Sequence, residues 1–217
     1  MIQPPKLEIL IATRNRGKIR EIRKMLHSLP VRLRSLDEFA EVSAVEEIGV
    51  SYEENASLKA LSYAKQTGVC ALADDSGLEV EALGGAPGVF SARFGGDHLS
   101  DSERNAKLLT ALSDYCESKR AARFVCSMAL AGWSLEGQEI ESSGPQLLAL
   151  TRGGCEGFIA TDAHGENGFG FDPVFTPTGY HATFADLPNE VKARISHRAH
   201  AIAAMRVFLD SWLVCPT

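Results

Sequence analysis

The chain has 217 residues, of which 45% are apolar and 23% charged, the balance of an ordinary globular protein large enough to fold without a disulfide or metal staple. Its 22 Lys and Arg against 28 Asp and Glu give a formal charge of −6. That excludes a general binder of polymeric nucleic acid or anionic membrane, because both require a basic excess. The longest run without Asp, Glu, Lys or Arg, Pro173 to Ala185, carries two prolines and a glycine, so no stretch resembles a membrane span of about 20 apolar residues. Five scattered cysteines with no C-x-x-C pair, and a start that runs into a strand-like segment without a leader's apolar region, predict a reduced, cytoplasmic protein.

Lys6 to Thr13 reads as a strand, and Ile19, Ile22, Leu26 and Leu29 recur at helical spacing over Lys18 to Leu29. Ser51-x-x-Glu54 is a capping box that opens a second helix, with Leu58, Leu61 and Ala64 on its apolar face and an end near Gly68. An apolar strand from Val69 to Ala73 is expected to stop at Asp74-Asp75-Ser76-Gly77. A second capping box, Ser100-x-x-Glu103, starts a helix through about Tyr115. Arg123 to Trp133 and Gln138 to Thr151 read as strands around a Glu136-Gly137 turn, with another strand near Gly157 to Thr161. Helices over Asn189 to Ile195 and Ser196 to Leu213 close the chain. The pattern predicts an α/β protein, a mixed sheet with helices packed on it.

Four segments could carry chemistry. Thr13-Arg14-Asn15-Arg16-Gly17-Lys18 lies between a strand and a helix, where free N–H groups and a lysine suit a phosphate; it equally suits a solvated turn, and it is not a Walker A loop. Asp74 and Asp75 end a uniformly apolar strand, the usual edge of a ligand crevice, and suit Mg²⁺ shared with substrate phosphates. Adjacent strand residues face opposite ways, so one acid is expected in the site and the other in a structural role. Upstream, Glu46 beside Glu47 could supply a second acid. In Gly165 to Pro173, Phe169 and Phe171 are flanked by glycines, as stacking on a planar base requires, while core packing better suits only one of the two. Around Ser196, a natural N-cap, Lys192, His197 and Arg198 offer donors to an anion or a carbonyl edge. His197 and His200 lie one turn apart but have no third ligand nearby for zinc.

Taken together and in order, these segments resemble the inosine triphosphate pyrophosphatase family, the enzymes of noncanonical purine nucleoside triphosphates. The resemblance rests on Thr13 to Lys18, Glu53-Glu54-Asn55-Ala56 with Lys59, Ala73 to Leu78, Leu83 to Gly88 with Ser91-Ala92-Arg93, Gly168 to Pro173, and Ser196-His197-Arg198. It covers nearly the whole chain as one domain, 1–217. It implies an elongated mixed sheet flanked by helices, two lobes with an active-site cleft between them, and a homodimer. The implied reaction is hydrolysis of ITP, dITP and XTP to the monophosphate and pyrophosphate with Mg²⁺. By position, Asp75 would accept the proton and join Glu46 at the metal. Thr13, Arg14, Asn15, Arg16, Gly17, Lys18, Lys59, Ser76, Arg93 and Lys192 would hold the triphosphate. Phe169 would stack on the base, and Gly170, Phe171, Asp172, His197 and Arg198 would read its edge. Phe171 stands where the family commonly has Tyr or Trp.

The residue types fit that reaction. Attack at the α-phosphorus needs a base, and the leaving pyrophosphate needs cations. A 6-keto purine accepts from His197 and Arg198, whereas adenine's 6-amino group leaves those donors unpaired. Rival readings are a septum-formation-type pyrophosphatase acting on other nucleotides and a nucleotide-binding sensor without hydrolysis. Neither predicts both the Ser-His-Arg segment and the intact acid pair.

Overall fold

A computed structural model describes residues 7–133 and 144–214. The elements are β1 (Glu8–Ile11), α1 (Arg16–Leu26), β2 (Arg32–Ser35), α2 (Tyr52–Thr67), β3 (Cys70–Val80), α3 (Asp101–Ala111), β4 (Ala121–Gly132), β5 (Gln146–Ile159), β6 (Phe175–Pro177), α4 (Asn189–Ile195) and α5 (His197–Val214). The strands form one mixed sheet in the order β2-β1-β3-β4-β5-β6, flanked by helices. β1 pairs in parallel with both β2 and β3, and β5 pairs antiparallel with β6. A strand hydrogen-bonded on both sides and covered by helices has no solvated face. That accounts for the continuous apolar run Ile9-Leu10-Ile11, fully buried.

The chain divides into two compact units, one of Met1–Asp75, Ser127–Arg152 and Ala201–Thr217, the other of Ser76–Cys126 and Gly153–His200. Each has its own apolar core. In the first, Ala56, Ala60 and Ala64 of α2 pack on Leu10, Ala71, Ala73, Ala129 and Ala131, small side chains that let the helix lie close on the sheet. In the second, Phe124, Phe175 and Phe184 pack with Leu78, Leu108 and Val174, and the Phe124 and Phe175 rings meet edge to face at 4.7 Å.

The α2 face keeps part of the expected one, since Ala64 is buried and Leu61 packs partly buried on the same core, but it is wider and leaves Leu58 out. Leu58 is 38% exposed, while Asn55, Ala56, Lys59, Ala60, Tyr63 and Ala64 are buried. Two polar residues, Asn55 and Lys59, take core-facing positions because acids in β3 receive them. The same partners explain why β3 runs on through Asp74-Asp75-Ser76-Gly77 instead of stopping there. β5 likewise continues through Gly153-Gly154 to Ile159, joining two segments the sequence separates. Near its end, a Cβ on Gly157 would lie 2.3 Å from the Thr176 carbonyl oxygen, so only glycine admits β6 so closely. The short β2 and β6 carry too few residues for a periodicity to show. The Glu136-Gly137 turn lies outside the described residues. Among the described residues, no helix is long and apolar enough to cross a membrane.

Candidate active site

In the first unit, β1 delivers the chain to the start of α1, where Asn15 is the N-cap. Its Oδ1 accepts from the N–H groups of Gly17 at 2.8 Å and Lys18 at 3.1 Å. Those two amides, expected to be free for a phosphate, are therefore held by the cap, as short polar side chains at this position do. The exposed side chains of Arg14 and Arg16 and the ammonium of Lys18 remain as the cations of this segment. The Arg14 Nη2 donates to the Val42 carbonyl at 3.3 Å, and the Thr13 hydroxyl accepts from the Asn15 N–H at 3.2 Å.

Lys18 Nζ stands 3.0 Å from Asp74 Oδ2, and the Asp74 side chain is fully buried. The next residue, Asp75, turns to α2. Asn55 Nδ2 donates to its Oδ2 at 3.0 Å, and Lys59 Nζ lies 3.6 Å from its Oδ1. Both acids are buried beside lysines, and both act on Lys59. Burial is the largest influence on Lys59 and opposes its charge, but Asp75, Asp74 and Glu47 outweigh it and hold the ammonium above its ordinary pKa. For Asp75, burial dominates and raises the carboxyl above its ordinary value. Lys59, Asn55 and Lys18 pull it down, and Glu47 pushes it up.

The second acid of this cluster is Glu47, whose Oε1 lies 2.8 Å from Lys59 Nζ, and not Glu46, which is exposed. Burial alternates along residues 45 to 50, so neighbours in this segment face opposite ways and only one of the two glutamates meets α2. Among the described residues, no group of three or more His, Cys, Asp and Glu side chains is arranged to hold a metal. The oxygen donors of Glu47 and Asp75 nevertheless fit a hard cation, and the Lys59 ammonium stands between them as a cation would.

In the second unit, the Gly168 to Asp172 loop is built around Asp172, which is 2% exposed. Its Oδ2 accepts from the Phe169 N–H at 2.7 Å and pairs with Lys192 Nζ at 2.5 Å. Gly168 has φ +82 and no room for a side chain, since a Cβ would lie 2.0 Å from that carboxylate oxygen. Phe169 is half-buried, with Lys192 Nζ 4.8 Å and the Arg198 guanidinium carbon 5.5 Å from its ring centre. Phe171 is the core residue of the pair, 4% exposed and edge-on to Phe94 at 6.4 Å. The backbone of Gly170 is already engaged: its N–H donates to Asp101 Oδ2 at 2.6 Å, and its carbonyl accepts from Asn105 Nδ2 at 3.0 Å. A cavity of about 430 Å³ opens here, lined in part by Asp101, Asn105, Phe169 and Gly170.

Ser196 caps α5 as expected, accepting from the Ala199 N–H at 3.1 Å. His197 stacks on Phe124 with centroids 4.6 Å apart and planes 11° apart, which fixes its ring. Arg198, 2% exposed, donates from Nη2 to the Ser76 Oγ at 2.9 Å. His200 Nδ1 lies 2.8 Å from the Gly154 carbonyl oxygen. Arg93 ends a short 3-10 helix, exposed, with its guanidinium over Phe90 at 5.1 Å. Glu47, Asp101 and Asn105 carry no motif of their own in the sequence. The one local hint is the i, i+4 spacing of polar pairs, Asn55 with Lys59 on an otherwise largely apolar face of α2 and Asp101 with Asn105 on α3.

Fold and site define a class: a mixed α/β protein with a buried, lysine-braced carboxylate centre and a loop in which an aromatic ring lies against two buried cations. The chain belongs to the Ham1 family, whose sequence profile matches residues 9–208. It is 46% identical over 205 residues to the dITP/XTP pyrophosphatase of Syntrophobacter fumaroxidans, covering 94% of this chain and 83% of that one. Among solved structures, a HAM1 protein from Coxiella burnetii matches with a TM-score of 0.80 at 40% identity, covering 94% of this chain and 99% of the other. A nucleoside-triphosphatase, dITP/XTP pyrophosphatase, from Mycobacterium abscessus matches with a TM-score of 0.70 at 42% identity, covering 92% and 98%. The resemblance drawn from the motifs therefore stands.

Proposed function

We propose that this chain hydrolyses the purine nucleoside triphosphates ITP, dITP and XTP to the nucleoside monophosphate and pyrophosphate. The observation that carries the reading is Asp75, a buried carboxylate raised above its ordinary pKa and steadied by Asn55 and Lys59. The name of the Syntrophobacter relative, dITP/XTP pyrophosphatase, supports the same conclusion.

In this reading Asp75 accepts the proton of the attacking water at a carboxylate oxygen, and its raised pKa makes it a stronger base than a solvated aspartate. Lys18, Lys59, Arg14, Arg16, Arg93 and Lys192 supply cations for the phosphates, and Asn15 and Ser76 supply polar groups beside them. Asn15 acts by shaping the turn as well, since Oδ1 is committed to the cap and only its Nδ2 end can donate outward. Mg²⁺ would be held by Asp75 and Glu47 together with substrate oxygens, and when bound it neutralises phosphate charge. Phe169 stacks on the base. His197, fixed on Phe124, and Arg198, fixed on Ser76, present donors to the 6-keto oxygen of hypoxanthine or xanthine. Adenine offers a donor there instead of an acceptor, a mismatch worth several kcal/mol when buried.

The two compact units together form one pyrophosphatase domain, as the profile match across both supports. The family resemblance further supports a cytoplasmic homodimer, and a one-chain mass in sedimentation equilibrium would overturn the dimer. The activity is tested by pyrophosphate release from ITP, XTP, GTP and ATP with Mg²⁺. Turnover of ITP and XTP at least about a hundredfold above ATP is expected. Tight binding of ITP without release would favour the sensor reading, and preference for another nucleotide would favour the septum-formation type.

A further inference from the structure

We propose that Asp101 and Asn105 are positioning residues for base recognition, clamping Gly170 from both sides of its peptide groups; the inference rests on the function proposed above. The two side chains stand one turn apart on α3 and reach the same loop residue. Asp101 Oδ2 takes the Gly170 N–H at 2.6 Å, and Asn105 Nδ2 gives to the Gly170 carbonyl at 3.0 Å. Gly170 has φ +63, a left-handed conformation outside any ladder, so side chains satisfy the backbone groups that strands would otherwise pair.

The clamp is itself braced. Asp101 Oδ1 pairs with Arg104 Nη1 at 3.0 Å, and Arg104 Nη2 donates to the Leu99 carbonyl at 3.0 Å. Asn105 is 3% exposed, so its amide has little freedom to swing away. On the other side of Phe169, Asp172 holds the Phe169 N–H. The ring is thus suspended between two anchored residues. Its place over Lys192 and Arg198 depends on α3, an element about 65 residues earlier in the chain.

A consequence concerns the division of labour in the loop. Gly170 was expected to read the base edge with its backbone. With its N–H and carbonyl both engaged by α3, it holds the loop in shape, and the reading of the base falls to Phe169, His197 and Arg198. Releasing the clamp lets Phe169 leave its cation pair, which weakens nucleotide capture and selectivity. The acid and lysines of the other cluster are untouched, so turnover of bound substrate changes little.

The test uses the intact protein and two variants, Asp101→Ala, whose side chain is 54% exposed and tolerates truncation, and Asn105→Asp, which keeps shape but cannot donate to a carbonyl. Hydrogen exchange of the 165–171 peptide and steady-state constants for ITP and GTP are measured together. Faster exchange in both variants is expected, with KM for ITP raised about tenfold, kcat within about twofold and the ITP-to-GTP preference reduced. Unaltered exchange in both variants overturns the clamp, whatever the enzyme hydrolyses. Faster exchange with unaltered KM and preference overturns its part in recognition. Loss of kcat in proportion to folded fraction, with selectivity intact, marks a merely structural role and also overturns it. A wild-type protein that turns over neither ITP nor XTP defeats the proposed function, while the exchange arm still decides the clamp.

Discussion

Asp75 carries its negative charge where burial opposes it, and three neighbours, Lys59, Asn55 and Lys18, partly offset that cost. Two measurable effects follow from replacing it with asparagine, which keeps volume and removes the charge. Turnover of ITP falls by about a thousandfold, the scale of losing a general base at a charged centre, while the fold persists. The stability effect depends on pH. Because the folded pKa lies above the ordinary one, the folded protein binds this proton more tightly than the unfolded chain does. The carboxyl therefore favours folding below its ordinary pKa, and that contribution is lost as pH rises through the raised value. In metal-free buffer, urea unfolding should find Asp75→Asn gaining on wild type as pH rises above the ordinary carboxylate range of about 4. A gap that stays constant as pH rises would show that burial imposes no cost on the acid.

The elements divide according to where their instructions reside. α2 begins where the Ser51 hydroxyl accepts from the Glu54 N–H at 3.2 Å, and it ends at Gly68 in the left-handed region with φ 71. Both ends are legible in the sequence because caps involve residues within four positions of each other. Open space surrounds the position of a Cβ on Gly68, so Gly68→Ala meets only the conformational penalty. It should destabilise by about 1 kcal/mol and lower the melting temperature by about 2–4 °C in a scanning experiment. An unchanged melting temperature would mean that the helix frays before Gly68 without loss. The buried face of α2 was not legible in the same way. A hydrophobic stripe through Leu58, Leu61 and Ala64 matches helical periodicity; the core takes Ala64 and part of Leu61, but also Asn55, Lys59 and further alanines, and leaves Leu58 exposed. Close helix–sheet packing selects small residues, and acids on β3 welcome polar ones, neither of which local hydropathy encodes. β3 makes the same point, since Asp, Ser and Gly are poor strand formers until tertiary partners satisfy them.

Across the whole molecule, the described cysteines report on integrity. Cys116 is exposed, and the Ser118 hydroxyl lowers its pKa. Burial raises Cys70, and it pushes Cys155 up to about 11. At pH 8 only about a thousandth of Cys155 is thiolate, even before access is considered. Iodoacetamide should therefore modify Cys116 ahead of Cys70, Cys126 and Cys155 in the native protein. The three buried thiols should react only after unfolding, and peptide mapping separates each site. Early modification of Cys155 would show that the second core opens readily. The net charge of −6 belongs to this scale too. It argues against polymeric nucleic acid as a partner, which calls for a basic excess.

By itself, the sequence determined the helix caps at Ser51, Ser100 and Ser196, the span of α4, the mixed α/β class and the family. These depend on neighbours along the chain or on motifs that survive in order. Only the tertiary structure decided that Glu47 rather than Glu46 meets Lys59, that Asp74 and Asp75 both face lysines, and that α3 holds Gly170. Asn55 and Asp75 are 20 residues apart, and Asp101 and Gly170 are 69. No local pattern records which distant side chain will arrive, because a polar residue reads alike whether water or a buried partner satisfies it. Folding supplies the partner, and the partner makes the site.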